Sequence, residues 1–378
     1  MPKLFEYQGK RLLKSLGVPI PEGDVATTPA EAGVIAKRLG RPVVIKAQVG
    51  VTGRAQAGGI KFASDAGEAE KVAAELLSRD VKALKVEKVL VEEKLAIKDE
   101  CYASVIVNDS YRVKGPVVMF STKGGTGIEE IAAKFPEKVA TLNVDILAGL
   151  SKKDSKGLIA KLGVPSSRRE ALSNVISGLY QVFREYSARS AEINPIVITQ
   201  KDRVYAADCH IVIDEASVFK HPELAIDYPR DIGRPPTELE QIAWKVEDKD
   251  YRGIGYFVQM AQGFKPGEGY VGFHGLGGGG AMLGADALIR HGLKIADYAD
   301  TSGNPTASKV YRIIKIIFSQ PNIDGYIMMG ASIANQEQWH HAHAIVKALR
   351  EELKDKPGFP VIILIAGNKE AESLEVMR

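Results

Sequence analysis

The chain has 378 residues, of which 45% are hydrophobic and 26% charged, and its formal net charge is +3. This length predicts two or three domains, and the composition is typical of a soluble globular protein. The small net charge and the lack of a dense Lys/Arg block argue against nucleic acid as a partner. No secretory signal and no apolar run of about 20 residues is present, and Cys101 and Cys209 read as buried thiols. We therefore expect a cytoplasmic protein without a membrane contact.

The first part of the chain mixes helices and strands. The spacing of apolar residues predicts a helix over 4–16 and a second helix that Thr28 caps, with Pro29 at its first position. A strand over 42–47 is followed by a glycine-bearing loop over 50–59. Further strands are predicted at 88–92, 101–107 and 117–121, with helices at 68–79, 151–162 and 168–186. This order indicates an α+β domain, to which we assign residues 1–218.

The second part of the chain has a different order of predicted strands and helices. Residues 219–236 are rich in Pro, Asp and Arg and are predicted to connect two domains. Residues 237–378 then alternate between strands and helices, which predicts a parallel, doubly wound sheet. The pattern stops within a helical stretch at 370–378, so we expect the last βα unit to be incomplete. The predicted strands are 269–274, 323–329 and 360–366, and the predicted helices are 281–291, 306–319 and 337–353.

Two apolar, β-branched runs flank a polar turn near Lys201, which is the pattern of an antiparallel hairpin. A turn centred there pairs Asn194 with Asp208 and Glu192 with His210, and Glu192 and Asn194 share one face. Hard oxygen donors grouped in this way suit Mg²⁺, which takes one or two protein ligands beside water and phosphate. The alternative is a buried polar cluster that only satisfies its own hydrogen bonds. A register slip of one residue would remove the site.

Charged residues near strand ends suggest a phosphate site. Lys46 ends a strand, and the glycine loop after it holds Gly53 and Arg54, so backbone N–H groups and two cations could approach anionic oxygens. No Gly-Lys-Ser/Thr closes the loop, so it is not a P-loop, and a surface hairpin with a solvated lysine and arginine is the alternative. Glu92 and Glu100 lie at strand ends, where carboxylates either receive ribose hydroxyls or are simply solvated.

Two glycine-bearing loops follow strands in the second part. Residues 275–280 match G-x-G-x-x-G before a predicted helix, and 330–335 repeat the arrangement after the next strand. Two helix N-termini on one sheet edge suit a carboxylate or phosphoryl group better than NAD, although a nicotinamide-dependent oxidoreductase is an alternative. Of His340, His341 and His343, only His340 and His343 have the spacing of metal ligands, and no third ligand is apparent, so all three are interpreted as surface or capping residues.

Taken together, these motifs resemble the β-type, ATP-grasp subunit of the succinyl-CoA synthetase family, which includes ATP-citrate lyase and citryl-CoA synthetase. The resemblance covers essentially the whole chain. It rests on Lys46, Gly53-Arg54, Glu92, Glu100, Glu192-Ile193-Asn194-Pro195, Asp208 and the opening Phe5–Lys10. It implies an ATP-grasp domain followed by a flavodoxin-like CoA-ligase domain. Ala55 departs from the family's usual Gly-Arg-Gly, and the C-terminal βα unit is missing.

The resemblance implies a role for each residue of the first domain. Residues that would hold ATP are Lys46, Gly53 and Arg54 at the phosphates, and Glu92 and Glu100 along the nucleotide. Asn194 and Asp208 would bind Mg²⁺, and Glu192 would position a phosphohistidine. That histidine normally lies in a Gly-His-Ala context on an α-type partner, which also binds most of the CoA. Because this chain has no Gly-His-Ala, we expect it to be one part of a larger ligase.

The second domain would bind the carboxylic acid. Residues expected to receive it are Gly278, Gly279, Ser332, Ile333, Ala334 and Asn335. Residues 302–305 and 330–335 look most like the ATP-citrate lyase and citryl-CoA synthetase branch, so citrate is the expected acid and succinate the next. However, residues 360–366 lack the arginine that this branch uses for citrate. Two further alternatives are an ATP-grasp ligase without a phosphohistidine and a catalytically silent, ligand-sensing subunit.

Overall fold

The computed structural model describes residues 2–50, 53–82, 84–110, 114–125, 132–226, 234–247, 250–330 and 335–378. The chain divides into two compact units, Met1–Pro235 and Pro236–Arg378. The division falls at the C-terminal end of the segment 219–236 that we interpreted as a connector. That segment begins inside the 3₁₀ helix Glu215–Lys220 and includes a second 3₁₀ helix, Pro222–Leu224.

The first unit opens with a small antiparallel sheet and three helices. The helices are α1 (Glu6–Ser15), α2 (Pro29–Leu39) and α3 (Ala66–Leu77). The strands are β1 (Gly23–Ala26), β2 (Val43–Ala47), β3 (Ile60–Ala63), β4 (Asp80–Val81), β5 (Leu84–Lys85) and β6 (Val89–Glu93). The sheet order is β1-β6-β2-β3, and β4 pairs only with β5. As predicted, Thr28 caps α2, and Glu31 completes a capping box.

A six-stranded antiparallel sheet forms the rest of this unit. Its strands are β7 (Ile97–Asn108), β8 (Gly115–Ser121), β9 (Val139–Asn143), β10 (Ala188–Thr199), β11 (Val204–Ala206) and β12 (Cys209–Ile213). Helices α4 (Lys152–Ala160) and α5 (Ser166–Glu185) precede β10. The order is β11-β10-β7-β8-β9, with β12 also paired to β10. Apolar residues of α5 pack into the core of this sheet, among them Leu172, Ile176 and Leu179.

The register of the predicted hairpin is confirmed. Glu192 lies opposite His210 in the pairing of β10 with β12. The backbone N–H of Asn194 donates to the carbonyl oxygen of Asp208 at 3.1 Å. Both expected metal ligands therefore lie side by side across the hairpin, because side chains on paired strands alternate in step.

The second unit holds a five-stranded sheet. Its strands are β13 (Tyr256–Gln259), β14 (Tyr270–Leu276), β15 (Lys294–Asp300), β16 (Gly325–Gly330) and β17 (Val361–Ile363). Its helices are α6 (Glu238–Glu247), α7 (Gly278–Arg290), α8 (Ala307–Phe318), α9 (Trp339–Glu352) and α10 (Glu370–Met377). The order is β13-β15-β14-β16-β17. Four strands are parallel and β13 is antiparallel to β15.

The doubly wound sheet is confirmed, with two strands that were not predicted. Along the sheet the parallel strands follow the order second, first, third, fourth, which is the flavodoxin-like arrangement. The antiparallel edge strand β13 and the parallel strand β15 were not predicted. Helix α8 approaches the sheet closely, since a Cβ atom at Gly272 would lie 2.4 Å from the Ile317 side chain. Within the described ranges, no helix combines the length and apolarity that crossing a membrane requires.

Candidate active site

Helix α1 contributes two charged side chains that the sequence analysis did not single out. Glu6 and Lys10 lie one turn apart and are both buried, with 3% and 2% of their surface exposed. The Lys10 ammonium lies 2.7 Å from the Glu6 carboxylate. Buried charges of this kind are costly unless each has a partner, so the surrounding residues decide whether the arrangement is stable.

Lys46 and Glu92 complete the pairing of these charges. The Lys46 Nζ atom lies 2.7 Å from Glu6 Oε1 and 3.1 Å from Glu92 Oε2. Lys10 Nζ contacts both Glu92 oxygens, at 2.7 and 2.6 Å. Both ammonium groups also donate to the carbonyl oxygen of Ala207 at 2.7 Å. The alternatives that placed Lys46 and Glu92 in solvent are therefore wrong, because both side chains are buried.

Arg54 joins this cluster to the hairpin. Its Nη2 atom lies 2.8 Å from Glu6 Oε2, and 2.9 and 2.8 Å from the two carboxylate oxygens of Asp208. Only 4% of Arg54 is exposed, so the surface-hairpin alternative is wrong for this residue as well. Gly53 immediately before it has a φ of +70°, a conformation that glycine adopts without strain.

We call these six residues the charge cluster: Glu6, Lys10, Lys46, Arg54, Glu92 and Asp208. Its three cations match its three carboxylates. Burial raises the pKa of Glu6, but the neighbouring cations lower it further, and the net pKa is well below its usual range. Burial lowers the pKa of Lys46, but Glu6, Glu92 and Asp208 raise it above its ordinary value. Both groups therefore stay charged at neutral pH.

The expected metal ligands lie at the edge of this cluster. Asn194 Oδ1 accepts a hydrogen bond from the Gly125 N–H at 2.8 Å. The Glu100 carboxylate also lies beside Gly125, because a Cβ atom at Gly125 would lie 2.6 Å from Glu100 Oε2. Asp208 is partly accessible, with 16% of its side chain exposed. The structure therefore brings Glu100 and Asn194 together at Gly125, and it brings Asp208 to Arg54.

The donor set fits magnesium better than a tightly caged metal. Across the part of the chain that the structure describes, no group of three or more His, Cys, Asp and Glu side chains could hold a metal ion. One carboxylate and one amide oxygen are instead the number and type of protein ligands that Mg²⁺ takes when phosphate and water supply the rest. Asn194 and Asp208 offer those two oxygens on one hairpin.

Glu192 lies farther along β10 and is held in one orientation. The Tyr102 hydroxyl donates to Glu192 Oε2 at 3.0 Å. Tyr102 is itself 3% exposed, which fixes its ring. The carboxylate of Glu192 is half-buried. It keeps acceptor capacity for a further donor, since an ionised carboxylate has about four lone-pair sites.

In the second unit, the glycine loop opens α7 as predicted. Helix α7 begins at Gly278 after Gly277, whose φ is +78°. The Asp300 carboxylate, 4% exposed, accepts a hydrogen bond from the Gly277 N–H. Burial raises the pKa of Asp300 above its ordinary value. A Cβ atom at Gly279 would meet nothing within 4 Å, so this part of the loop is open.

The second predicted acid-binding segment differs from the expectation. Asn335 is exposed, but the helix after it begins at Trp339, so its predicted place at a helix N-terminus is wrong. The intervening residues bond to other segments instead: the Glu337 N–H donates to Asn304 Oδ1 at 3.2 Å, and the Gln338 N–H donates to the Asn368 carbonyl at 3.1 Å. The described ranges do not include the other predicted residues of this segment, Ser332, Ile333 and Ala334.

The interpretation of His341 as a surface or capping residue is wrong. His341 is fully buried, and its Nε2 atom lies 3.2 Å from Thr301 Oγ1. Thr301 Oγ1 also lies 2.6 Å from His274 Nε2, and His274 Nδ1 lies 2.8 Å from the Tyr326 hydroxyl. Burial lowers the pKa of His341 to about 4 and that of His274 well below its usual range. One signal in the sequence could have indicated this burial: His341 lies one helical turn before Ile345, on the apolar face of the helix.

Each of the two units matches a known protein family. Residues 3–198 match the family model described as "ATP-grasp domain", and residues 267–378 match the one described as "ATP citrate lyase citrate-binding". The chain is 35% identical to the GDP-forming succinate–CoA ligase subunit β of Thermus thermophilus, over 99% of this chain and 93% of that protein. It is 34% identical to the ADP-forming subunit β of Methanothermobacter thermautotrophicus, over 100% of this chain and 93% of the relative.

A solved structure shares the fold of the whole chain. It is ATP citrate lyase from Methanothrix soehngenii in complex with citrate and coenzyme A. The alignment covers 100% of this chain and 92% of the other, with a TM-score of 0.76 at 19% sequence identity. The sequence similarity to ligase subunits extends over nearly the full chain, so it favours a ligase subunit over the alternative of a nicotinamide-dependent oxidoreductase. The chain therefore belongs to the β-subunit family of ATP-dependent acid–CoA ligases, with an ATP-grasp domain followed by a flavodoxin-like domain.

Proposed function

We propose that this chain is the nucleotide-binding subunit of an ADP-forming acid–CoA ligase. ATP phosphorylates a histidine of an α-type partner, the phosphoryl group passes to a carboxylic acid, and the CoA thiol displaces phosphate. Covalent steps of this kind divide one difficult displacement into easier ones. The observation that carries the proposal is the charge cluster, which gathers the expected phosphate-binding cations and a metal-binding carboxylate in one buried site.

In this proposal the cluster receives the polyphosphate of the nucleotide. Lys46, Arg54 and the N–H groups near Gly53 bind phosphate oxygens, and Glu92 and Glu100 lie along the nucleotide. The ion pairs to Glu6 hold the two cations in place before the nucleotide arrives. Asn194 and Asp208 hold Mg²⁺, which neutralises phosphoryl charge when it is bound.

Glu192 positions the partner's histidine. The Tyr102 hydroxyl fixes the carboxylate, and a fixed carboxylate that accepts one imidazole N–H sets which ring nitrogen is left to take the phosphoryl group. Most of the CoA is bound by the partner in this assignment. The free, buried Cys101 and Cys209 fit a reducing compartment, which favours the cytoplasm.

The preferred acid is proposed to be citrate, bound by Gly278, Gly279 and residues 332–335 at the carboxyl ends of β14 and β16. The match of residues 267–378 to a citrate-binding family supports this choice. Succinate is the second candidate, because the full-length relatives are named succinate–CoA ligases. Asn335 is exposed at this edge, and its amide can donate to a carboxylate or hydroxyl.

The test uses the chain purified with its α-type partner. ADP release is measured with citrate, succinate, malate and acetate, and citrate is expected to give the highest kcat/KM. Asn335→Ala should raise the KM of the acid roughly 10- to 150-fold, since a hydrogen bond to a charged group contributes about 1.5–3 kcal/mol. The KM of ATP should not change.

Asn143→Ala is the matched control, because Asn143 is an exposed asparagine of the first unit. If Asn335→Ala alters the KM of ATP and of the acid equally, or if only a monocarboxylate supports turnover, the acid assignment is wrong. If no acid supports ADP release, the ligase proposal itself fails.

A further inference from the structure

Two residues with different expected ligands are bound to each other. Arg54, which is expected to hold phosphate, contacts both carboxylate oxygens of Asp208, which is expected to hold the metal. The distances of 2.9 and 2.8 Å are those of charge-assisted hydrogen bonds. In this state, Arg54 and Asp208 direct toward each other the groups that each would use for its expected ligand.

The charge cluster in this state has no cation to spare. Its three cations are matched by three carboxylates, and the Arg54 guanidinium is shared between Asp208 and Glu6. A polyphosphate that arrives without a metal ion meets these carboxylates beside each cation. In a buried site such like-charge contacts are unfavourable, because little water screens them.

A divalent cation at Asp208 would change this balance. Asp208 would then share its charge with the metal, and Arg54 would keep only Glu6 as a carboxylate partner. Lys46 makes no direct contact with Asp208 that this exchange would break, because its partners are Glu6, Glu92 and the Ala207 carbonyl. Arg54 is therefore the cation whose availability depends most directly on the state of Asp208.

The surroundings of Arg54 leave room for such a change. A cavity of about 60 Å³ is lined by the side chains of Glu6, Arg54 and His210, among others. Arg54 is therefore buried but borders unfilled space.

We propose that Arg54 and the metal ion compete for Asp208, and that this competition makes the site selective for the metal-complexed nucleotide over the free nucleotide. Arg54 acts as the specificity-determining residue, because it turns to phosphate only when the metal has taken Asp208. The inference rests on the proposed function, since it uses the phosphate role of Arg54 and the metal role of Asp208.

The experiment measures nucleotide binding to the full chain by calorimetry, once with ATP and EDTA and once with ATP and excess Mg²⁺. The wild-type protein should bind the magnesium complex much more tightly. Asp208→Asn should shift the two affinities in opposite directions. Binding of Mg²⁺–ATP weakens because an anionic ligand is lost, whereas binding of ATP in EDTA tightens by about tenfold because Arg54 no longer pairs with the carboxylate of Asp208.

Asp202→Asn is the matched control. It removes one carboxylate from the same hairpin, but Asp202 contacts Lys98 and Arg168 rather than Arg54. It should change neither affinity by more than about twofold. If it tightens binding of ATP in EDTA as much as Asp208→Asn does, the effect is one of net charge and the proposal is overturned.

A second variant gives a readout without any nucleotide. Arg54→Gln should bind Mn²⁺ alone more tightly than the wild-type protein does, as counted by the loss of the free-ion electron paramagnetic resonance signal. Mn²⁺ binding no tighter than in the wild-type protein overturns the proposal. Melting temperatures of all variants identify any that fail to fold. If either Asp208→Asn or Arg54→Gln folds, its binding measurement is sufficient to test the proposal.

The outcomes separate this inference from the proposed function. If Asp208→Asn weakens Mg²⁺–ATP binding but leaves ATP binding in EDTA unchanged or weaker, the competition is wrong and the nucleotide site stands. If Asp208→Asn leaves Mg²⁺–ATP binding unchanged, the metal role of Asp208 fails, and the proposed function loses that part.

Discussion

Asp297 is a fully buried carboxyl group outside the candidate site. Its Oδ1 atom accepts a hydrogen bond from Gln320 Nε2 at 2.6 Å, but Asp297 Oδ2 and Gln320 Oε1 have no hydrogen-bond partner among the described residues. Burial raises the pKa of Asp297 well above its usual range. The neutral acid is therefore favoured in the folded state.

This carboxyl group should make stability depend on pH. Because the folded-state pKa is raised, the folded state keeps a proton that the unfolded state releases, so stability falls as pH rises from about 4 toward the folded-state pKa. The slope reaches about 1.4 kcal/mol per pH unit for one proton. Asp297→Asn should flatten this dependence and raise the free energy of unfolding at pH 8.

Urea unfolding between pH 5 and pH 9 checks this prediction. Asp355→Asn is a suitable control, because Asp355 is exposed. A slope that is the same in Asp297→Asn and in the wild-type protein would show that Asp297 does not retain its proton on folding.

Residues of the site differ in how well sequence could predict them. Asn194 and Asp208 could be paired because a hairpin is local and its side chains alternate regularly. Glu6 and Lys10 were missed because their partners are distant in sequence: Lys10 and Glu92 are 82 positions apart. A buried i, i+4 ion pair looks the same in sequence as an exposed one. Only the fold reveals that these charges are inside.

At the scale of elements, segments with a clear periodic pattern were predicted, whereas several strands, among them β1, β13 and β15, were not. Helix α2 and the β10–β12 hairpin agree with the sequence patterns. Strands β1 and β13 have four residues each and lie at sheet edges, where one face carries little apolar pattern. The start of α9 was misplaced because the residues before it bond to other loops rather than along a helix.

The N-terminal turn of α9 should also respond to pH. The folded-state pKa of His341 is about 4, below its unfolded value near 6.5, so the unfolded state binds the additional proton. Stability is therefore lost as pH falls from about 6.5 toward 4. His341→Gln should be destabilised at pH 7 by about 0.5–1.5 kcal/mol, through the lost hydrogen bond to Thr301.

The same variant should lose less stability between pH 6.5 and pH 4.5 than the wild-type protein does. Some pH dependence remains, because burial also lowers the pKa of His274. Chemical unfolding at the two pH values measures both effects, with His291→Gln as an exposed control. An unchanged acid dependence in His341→Gln would contradict the buried, neutral histidine.

At the scale of the whole molecule, sequence motifs predicted the two domain types because each motif lies next to the strand or helix that positions it. The identity of the acid is harder to predict. In the proposed assignment it depends on a few side chains at the loops after β14 and β16, where small changes would alter binding without altering the fold.

The molecule should also depend on its partner. With no Gly-His-Ala sequence, the isolated chain should bind Mg²⁺–ATP but acquire no phosphohistidine. Labelling with γ-³²P-ATP, followed by a test of acid lability, measures this, and the α-type partner is then added as the positive control. Robust labelling of this chain alone would contradict the division of labour between the two subunits.

The charge cluster also has a consequence for synthesis. Helix α1 is synthesised long before its partners, because Lys10 bonds to the Ala207 carbonyl, 197 residues later. At about 5–20 residues per second, translation takes on the order of 10–40 seconds to cover that distance. During this interval Glu6 and Lys10 lack their distant partners. Lys10 and Lys46 can therefore reach the paired arrangement seen in the structure only after the hairpin has been synthesised.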